Sequence, residues 1–479
     1  LSRGLGDVYK RQLKDNAEPA ARRDALYMLG MSYYRTGVYS QVPVVLGEVA
    51  TGKDELTQNA YLHMGLAYLQ LADKNKARMA FEQAAASNAN QKIKEQASYN
   101  YALCIHETSY SAFGESVTVF ENFLNEFPNS AYANKVSNYL VEVYMNTRSY
   151  DAALKSIERI THPSRAILEA KQKILFHLGT QYFANTQFER AILYFNQSIA
   201  LGQYNLQTKA NALYWRGESY YRLNRMQEAA RNFNDYLSLT TQKNTEMYAL
   251  AYYNLAYIAF HKKNYATAQD RFQKFIQLQK SGDATVLADA YNRIGDCLYQ
   301  NRQFSLAEEN YSRAAQLSPS AGDYSIYQKG FLLGLQKDYR GKISAMDRLI
   351  NEYPESQYVD DALFEKGRSY VLLENSSSAA QAFEKLIREF PQSSLARKAG
   401  IQLGLLYYND NQPEKALTAY KQVISNYPGS EEAKIALQDL KSVYIDLNDI
   451  NAYASYVNSI GGNIPVSYTH LTLPTTPYV

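Results

Sequence analysis

The chain has 479 residues, 46% of them apolar, with 50 Lys and Arg set against 47 Asp and Glu. That much apolar material excludes a disordered chain, and the length is well beyond the roughly 250–300 residues at which a single core stops growing. The fold is therefore either several domains or an architecture that needs no central core. A near-neutral balance with no run of Lys or Arg speaks against a general polyanion binder, so no nucleic-acid partner is expected. Tyr is present 44 times and Trp once, which implies that one residue type is reused in a fixed role. Cys104 and Cys297 stand far apart without a CxxC, and both read as small buried residues.

In chain order, the opening segment 1–12 (LSRGLGDVYKRQ) resembles translated adaptor or library sequence, as does the closing segment 466–479 (VSYTHLTLPTTPYV). Both are expected to be non-native and are set aside. A chain that begins inside a reading frame would have lost any signal peptide or lipidation site before it. The most apolar stretch, 249–260, is 12 residues long, short of the roughly 20 that a bilayer requires, so no membrane span is expected.

Residues 13–465 read as one repeating array. Glycine recurs within helix-like text such as YMLGMSYY and LYWRGESYY, although it costs a helix about 1 kcal/mol relative to Ala. With Gly30, Gly65, Cys104, Val141, Gly179, Gly217, Ala256, Gly295, Gly330, Gly367, Gly404 and Lys441 as anchors, the steps are 35 to 39 residues, giving twelve repeats. Three residues after the anchor comes an aromatic, as in Tyr68, Tyr144, Tyr220 and Tyr370. Twelve residues after it comes a small residue, as in Ala77, Ala191, Ala307 and Ala416; sixteen after it comes another large ring, as in Phe81, Phe195, Tyr311 and Tyr420. Five repeats place a proline twenty-four residues on: Pro128, Pro319, Pro354, Pro391 and Pro428. The spacing predicts two antiparallel helices per repeat, brought close by the small anchor and the later Ala, with the rings filling the space beside that contact. Neither helix buries its apolar face alone, so repeats must stack.

The pattern resembles the tetratricopeptide repeat family, helix-turn-helix units of about 34 residues. The eighth repeat carries it most fully, in Ile294, Gly295, Leu298, Ala307, Tyr311, Ala314 and Pro319. The first repeat departs with Val42 and Leu46, the ninth has Lys342 in the small slot, and the last is degenerate. The resemblance implies an all-α fold, a right-handed superhelical solenoid of about twelve repeats. Four joints share an aromatic-Pro-x-Ser signature, at 127–130, 353–356, 390–393 and 427–430, where Pro stops one helix and Ser can cap the next. These joints are similar to those of bacterial cell-envelope repeat proteins, such as BamD-type outer-membrane assembly lipoproteins and periplasmic partners of the Tol-Pal system.

No catalytic constellation is present. His63, His106, His162, His177 and His261 are scattered without HExxH or Cys/His ligand spacing, and phosphate loops and nucleophile elbows are missing. Neither a metal nor another cofactor is expected, and the chain reads as non-enzymatic. The resemblance implies a concave face lined by the first helix of each repeat. On it would lie Tyr214, Glu218 and Tyr221, then Tyr253, Tyr257 and Phe260, then Asn292, Asp296 and Tyr299, then Tyr327 and Phe331, with Gly334 as a gap. Rigid aromatic area of this kind suits an extended peptide or a partner's helix. The Lys/Asn clamp with which some of the family grip chaperone tails is missing. The reading is a protein-protein interaction scaffold of a bacterial envelope, on the periplasmic side or at the outer membrane. The alternatives are a cytoplasmic adaptor and the recruiting arm of a larger enzyme or signalling protein. Partner identity and oligomeric state are not written in the sequence.

Overall fold

Slots at plus three, plus twelve and plus sixteen from one anchor share a contact only if the chain reverses between them, and helix pairs are what forms. The structure is a computed structural model that describes Val8, Arg11 and residues 18–108, 114–147, 149–279 and 283–461. The two adaptor-like ends, apart from Val8 and Arg11, lie outside the described residues. The chain forms an N-terminal unit, Leu1–Lys243, and a C-terminal unit, Asn244–Val479.

In the N-terminal unit the pairs are α1 (Pro19–Arg35) and α2 (Val42–Val49), α3 (Glu55–Gln70) and α4 (Lys74–Ala86), α5 (Gln91–Thr108) and α6 (Glu115–Glu126). They continue with α7 (Ala133–Asn146) and α8 (Tyr150–Glu158), α9 (Arg165–Ala184) and α10 (Phe188–Ala200), α11 (Leu206–Arg222) and α12 (Met226–Leu239). In the C-terminal unit they are α13 (Glu246–His261) and α14 (Tyr265–Leu278), α15 (Ala284–Gln300) and α16 (Phe304–Leu317), α17 (Asp323–Leu335) and α18 (Tyr339–Glu352). The last are α19 (Val359–Leu372) and α20 (Ser376–Glu389), α21 (Ser394–Asn409) and α22 (Pro413–Asn426), α23 (Glu431–Asp446) and α24 (Ile450–Ser459). No strand occurs among the described residues. Within each unit, helices pack on their neighbours in sequence, and first helices touch first helices of the next repeat, as α3 does α5 and α19 does α21. Each unit is an all-α repeat solenoid in which contacts are local and the apolar core is a row of small clusters.

The anchor does more than admit a neighbouring backbone: it receives the side chain from plus sixteen. A Cβ added at Gly65 would stand 2.5 Å from the Phe81 ring, at Gly295 2.7 Å from Tyr311, at Gly367 2.5 Å from Phe383 and at Gly404 2.4 Å from Tyr420. Gly30 faces Leu46 and Gly330 faces Met346 in the same way, so the poor first repeat keeps the contact with a smaller partner. Where the anchor carries a larger side chain, at Val141 and Lys441, the plus-sixteen residue shrinks to Ile157 and Val457. The plus-twelve alanines, from Ala77 to Ala416, are completely buried. Both cysteines are buried too, and burial pushes the Cys104 thiol up to about 11 and that of Cys297 to about 12.

The turn inside each pair uses a device that the sequence does not advertise. Ala72, Thr186, Asn224, Lys263, Arg302, Lys337, Glu374, Asn411 and Asn448 all have φ between 55° and 66°, and each lies seven residues after its anchor. The next amide closes the helix end on the carbonyl at plus three, for instance Asp73 on Tyr68, Arg225 on Tyr220 and Asn375 on Tyr370, each at 2.8–2.9 Å. This is the Schellman geometry, built mostly on residues that bear a Cβ. Among the described residues only the first repeat uses glycine there, Gly37. The second helix then starts on a side-chain cap in several repeats, including Asp73, Asn264, Asp338 and Asn375.

The aromatic-Pro-x-Ser joints cap and also tie. Ser393 and Ser430 are true N-caps of α21 and α23, whereas Ser130 and Ser356 act a little earlier, accepting from the amides of Tyr132 and Tyr358. Ser356 donates to Asp323 at 2.6 Å and Ser393 to Asp360 at 2.7 Å, each reaching back to the first helix of the preceding repeat. The Tyr427 hydroxyl donates to the Pro391 carbonyl at 2.8 Å, and Tyr353 makes the same bond to Pro319.

Two outcomes check this packing. Gly367→Ala is expected to destabilise the chain by about 1–2 kcal/mol, because overpacking against Phe383 outweighs the roughly 1 kcal/mol helix-propensity gain, and adding Phe383→Leu should recover part of it. Glu374→Gly is expected to stabilise by about 1 kcal/mol through relief of the left-handed backbone. Urea denaturation followed by circular dichroism measures both.

Candidate partner-binding face

The residues expected on the first-helix face divide between the two units, and within each they divide by burial. In the N-terminal unit, Tyr214 and Glu218 on α11 are buried: the Tyr214 hydroxyl donates to Glu218 at 3.1 Å, and its ring packs edge-on against Phe233 and Tyr236. Tyr221, one turn on, is half-buried. In the C-terminal unit, Asn292 and Asp296 on α15 are also buried, at 7% and 9% exposure. Their polar atoms are spent inside the fold, so these four side chains offer a partner almost no area. Tyr253, Tyr257, Phe260, Tyr299, Tyr327 and Phe331 are half-buried, with one edge in the fold and the other outside.

What holds those rings is a polar network across three successive first helices. The hydroxyls of Tyr253 and Tyr257 on α13 both donate to Asp289 on α15, that of Tyr253 at 2.6 Å. One turn on, Arg293 lies 2.6 Å from Asp296 and 3.6 Å from Asp289, with its guanidinium 4.9 Å from the Tyr324 ring centroid and 5.9 Å from that of Phe260. Asp296 in turn accepts from Tyr311 and Tyr324, both at 2.7 Å, and Asn292 accepts from Ser325 at 2.8 Å. Burial pushes all four of these tyrosine hydroxyls far above their usual value, with the two carboxylates adding to it, so they remain proton donors. Burial would lower Arg293, but Asp296, Tyr324, Tyr257 and Asp289 outweigh it and hold it charged.

A second chain of contacts runs beside the first. Tyr299 on α15 meets Phe331 on α17 with ring centroids 6.3 Å apart, Phe331 lies under the Lys342 ammonium at 5.9 Å, and Lys342 pairs with Glu365 on α19. Tyr327 stacks on Tyr358 at 5.2 Å. Gly334 and Lys342, two departures from the pattern, prove to be one feature. A Cβ at Gly334 would come 2.8 Å from the Lys342 Cδ, so the gap in the aromatic row is the channel through which that lysine leaves the small slot.

The register of the repeat locates the half-buried rings. It does not reveal Asp289, Arg293 or Tyr324 as their support, because these pair across repeats, nor that Tyr311, the plus-sixteen ring, bonds Asp296 of its own repeat. The only trace in the sequence is the coincidence of two anomalies, Gly334 and Lys342, in one repeat. Among the described residues no group of three or more His, Cys, Asp or Glu is placed to hold a metal ion, and no helix is long and apolar enough to cross a membrane.

Comparison with known proteins follows the helix pairs. Tetratricopeptide repeat profiles match residues 58–91, 176–244, 250–279, 288–320 and 324–356. A profile described as outer membrane lipoprotein matches residues 361–438, which include two of the four Pro-Ser joints. No curated protein matches the chain. Among solved structures, the C-terminal part of a TPR repeat-containing protein from Cytophaga hutchinsonii is 18% identical, with 55% of this chain and 99% of that chain covered and a TM-score of 0.46. A tetratricopeptide repeat protein from Parabacteroides merdae is 15% identical over 57% of this chain and 98% of its own, TM-score 0.37. PilW, a type IV pilus biogenesis factor, is 18% identical over 47% and 97%, TM-score 0.36.

Removing the central cation tests the network. Arg293→Met leaves two carboxylates without their shared counter-charge and is expected to cost about 3 kcal/mol, and adding Asp296→Asn should return much of that loss. Equilibrium urea unfolding of the two variants is the check.

Proposed function

The chain is a tetratricopeptide-repeat protein, and we propose that it is a non-catalytic scaffold of a bacterial cell envelope whose C-terminal unit binds an extended peptide or a partner helix along its first helices. The observation that carries this reading is the run of half-buried rings, Tyr253, Tyr257, Phe260, Tyr299 and Phe331, fixed by hydrogen bonds and an arginine. Rings with one edge outside and no freedom to reorient contribute contact area at little entropic cost, which is the character of interface hot spots. Asn292 and Asp296 on the same helices are spent internally, so recognition rests on shape and aromatic contact more than on a charged clamp.

Placement in the envelope is supported by the outer membrane lipoprotein profile over residues 361–438 and by the joints that tie successive repeats in that stretch. Its periplasmic or outer-membrane location belongs to the same proposal.

A photoreactive phenylalanine analogue at Tyr299 should crosslink the native partner in intact cells. Tyr299→Ala and Phe260→Ala should each weaken that partner's binding to the purified chain about tenfold or more while leaving the helical signal intact. Unchanged affinity in both variants removes the face from the proposal.

A further inference from the structure

The position just before the anchor is Leu in most repeats, including Leu29, Leu103, Leu178, Leu255 and Leu403. In the eleventh repeat Leu403 floors a cleft between the second helices α20 and α22, a cavity of about 430 Å³ also lined by Glu384, Tyr407 and Lys415. Three repeats replace the leucine with a cation: Arg216, Lys329 and Lys366. Each cation reaches the residue seventeen positions after the preceding anchor, making a crossbar between repeats. Lys366 meets Asp347 there. Lys329 meets Ser312 at 3.1 Å and Glu308, on the same helix, at 3.3 Å.

Arg216 differs. Its Nε donates to the Asn232 side-chain oxygen at 2.7 Å and its Nη1 to that of Asn196 at 2.6 Å, so it spans from α12 to α10 on two neutral amides. Of the neighbouring carboxylates, Glu228 is taken by Arg225 at 2.7 Å, and Asp235 acts on Arg216 only through its field. Burial accordingly pulls the Arg216 pKa down, whereas Arg23 and Arg159, each bonded to a carboxylate, are held up. A guanidinium has five N–H donors, and two amide oxygens engage two of its nitrogens and neutralise none of its charge. The Asn196 end of the crossbar is exposed.

We propose that the surface between α10 and α12 that Arg216 spans is a second partner site, in which Arg216, oriented by Asn196 and Asn232, receives an aspartate or glutamate side chain of a protein partner. The occupant follows from charge complementarity: the two sibling crossbars carry their carboxylates within the chain, and here the anionic partner must come from outside. A planar guanidinium already fixed at Nε and Nη1 presents its remaining donors in a defined direction, as bidentate carboxylate recognition requires. The site is separate from the aromatic face of the C-terminal unit.

The test is selection of a phage-displayed library of random twelve-residue peptides on the immobilised full chain, comparing wild type with Arg216→Gln and Asn232→Asp. Asn232→Asp supplies an internal carboxylate for Arg216 and gives up the bond from the Asn232 amide to the Glu228 carbonyl, and melting followed by the fluorescence of Trp215, the only tryptophan, checks that it folds. The expected result is a family of peptides with a fixed Asp or Glu, bound about tenfold or more weakly by both variants and by the wild type when that residue is changed to its amide. The proposal is overturned if wild type selects no acidic family, or if either variant retains it at wild-type affinity. Peptides lost to Tyr299→Ala but not to Arg216→Gln would belong to the aromatic face and would likewise count against this site.

Discussion

Eight of the twelve repeats depend on a large side chain closing onto a position that has none. Gly65 under Phe81, Gly295 under Tyr311 and Gly367 under Phe383 set how closely two helices lie and where one stops relative to the other. Once that distance is fixed, the plus-twelve alanine is enclosed, and the plus-three residue is positioned so that its carbonyl receives the amide that ends the helix. A solenoid without a central core has no other means of forcing uniformity on its repeats. The same small contact has to be made locally each time, and the exceptions at Val141 and Lys441 show the compensation, a smaller residue where the anchor grows.

That constraint explains what the sequence could disclose. A backbone-level requirement for glycine, recurring at a nearly constant step, is visible without any structure, and twelve helix pairs follow from it directly. The left-handed turn recurs as regularly as the glycine but is filled by Ala, Thr, Asn, Lys, Arg and Glu, so geometry is conserved along the chain while residue type is not. The joints were only half legible: Ser caps were readable from the motif, but the back-reach of Ser356 to Asp323 and of Ser393 to Asp360 depends on where the preceding repeat begins.

The candidate face shows the same division. Its positions follow from register, but register does not distinguish a ring that borders solvent from one consumed by its own core. Tyr214 and Tyr253 occupy the same slot; one is buried against Phe233, while the other keeps an outer edge and lends its hydroxyl to Asp289. The supporting Arg293 and Asp296 occur once each at their slots, and Asp289 shares its slot with Asp24 and Asp361 alone, so no steady periodicity points to them. The cations at Arg216, Lys329, Lys366 and Lys342 are four further departures from the repeat.

Lys342 carries a further implication for how the array can change over time. The glycine and ring contact lies inside one repeat, so a seam crossed by apolar side chains alone leaves compatible surfaces when a repeat is duplicated or excised. The seam between the ninth and tenth repeats is different, because the ammonium threaded past Gly334 terminates on Glu365 of the next repeat. Cutting there would strand a charge in an oily interior on one side and its counter-ion on the other. Those two repeats are thus coupled as a pair, as the seventh to ninth are through Asp289, Arg293 and Asp296.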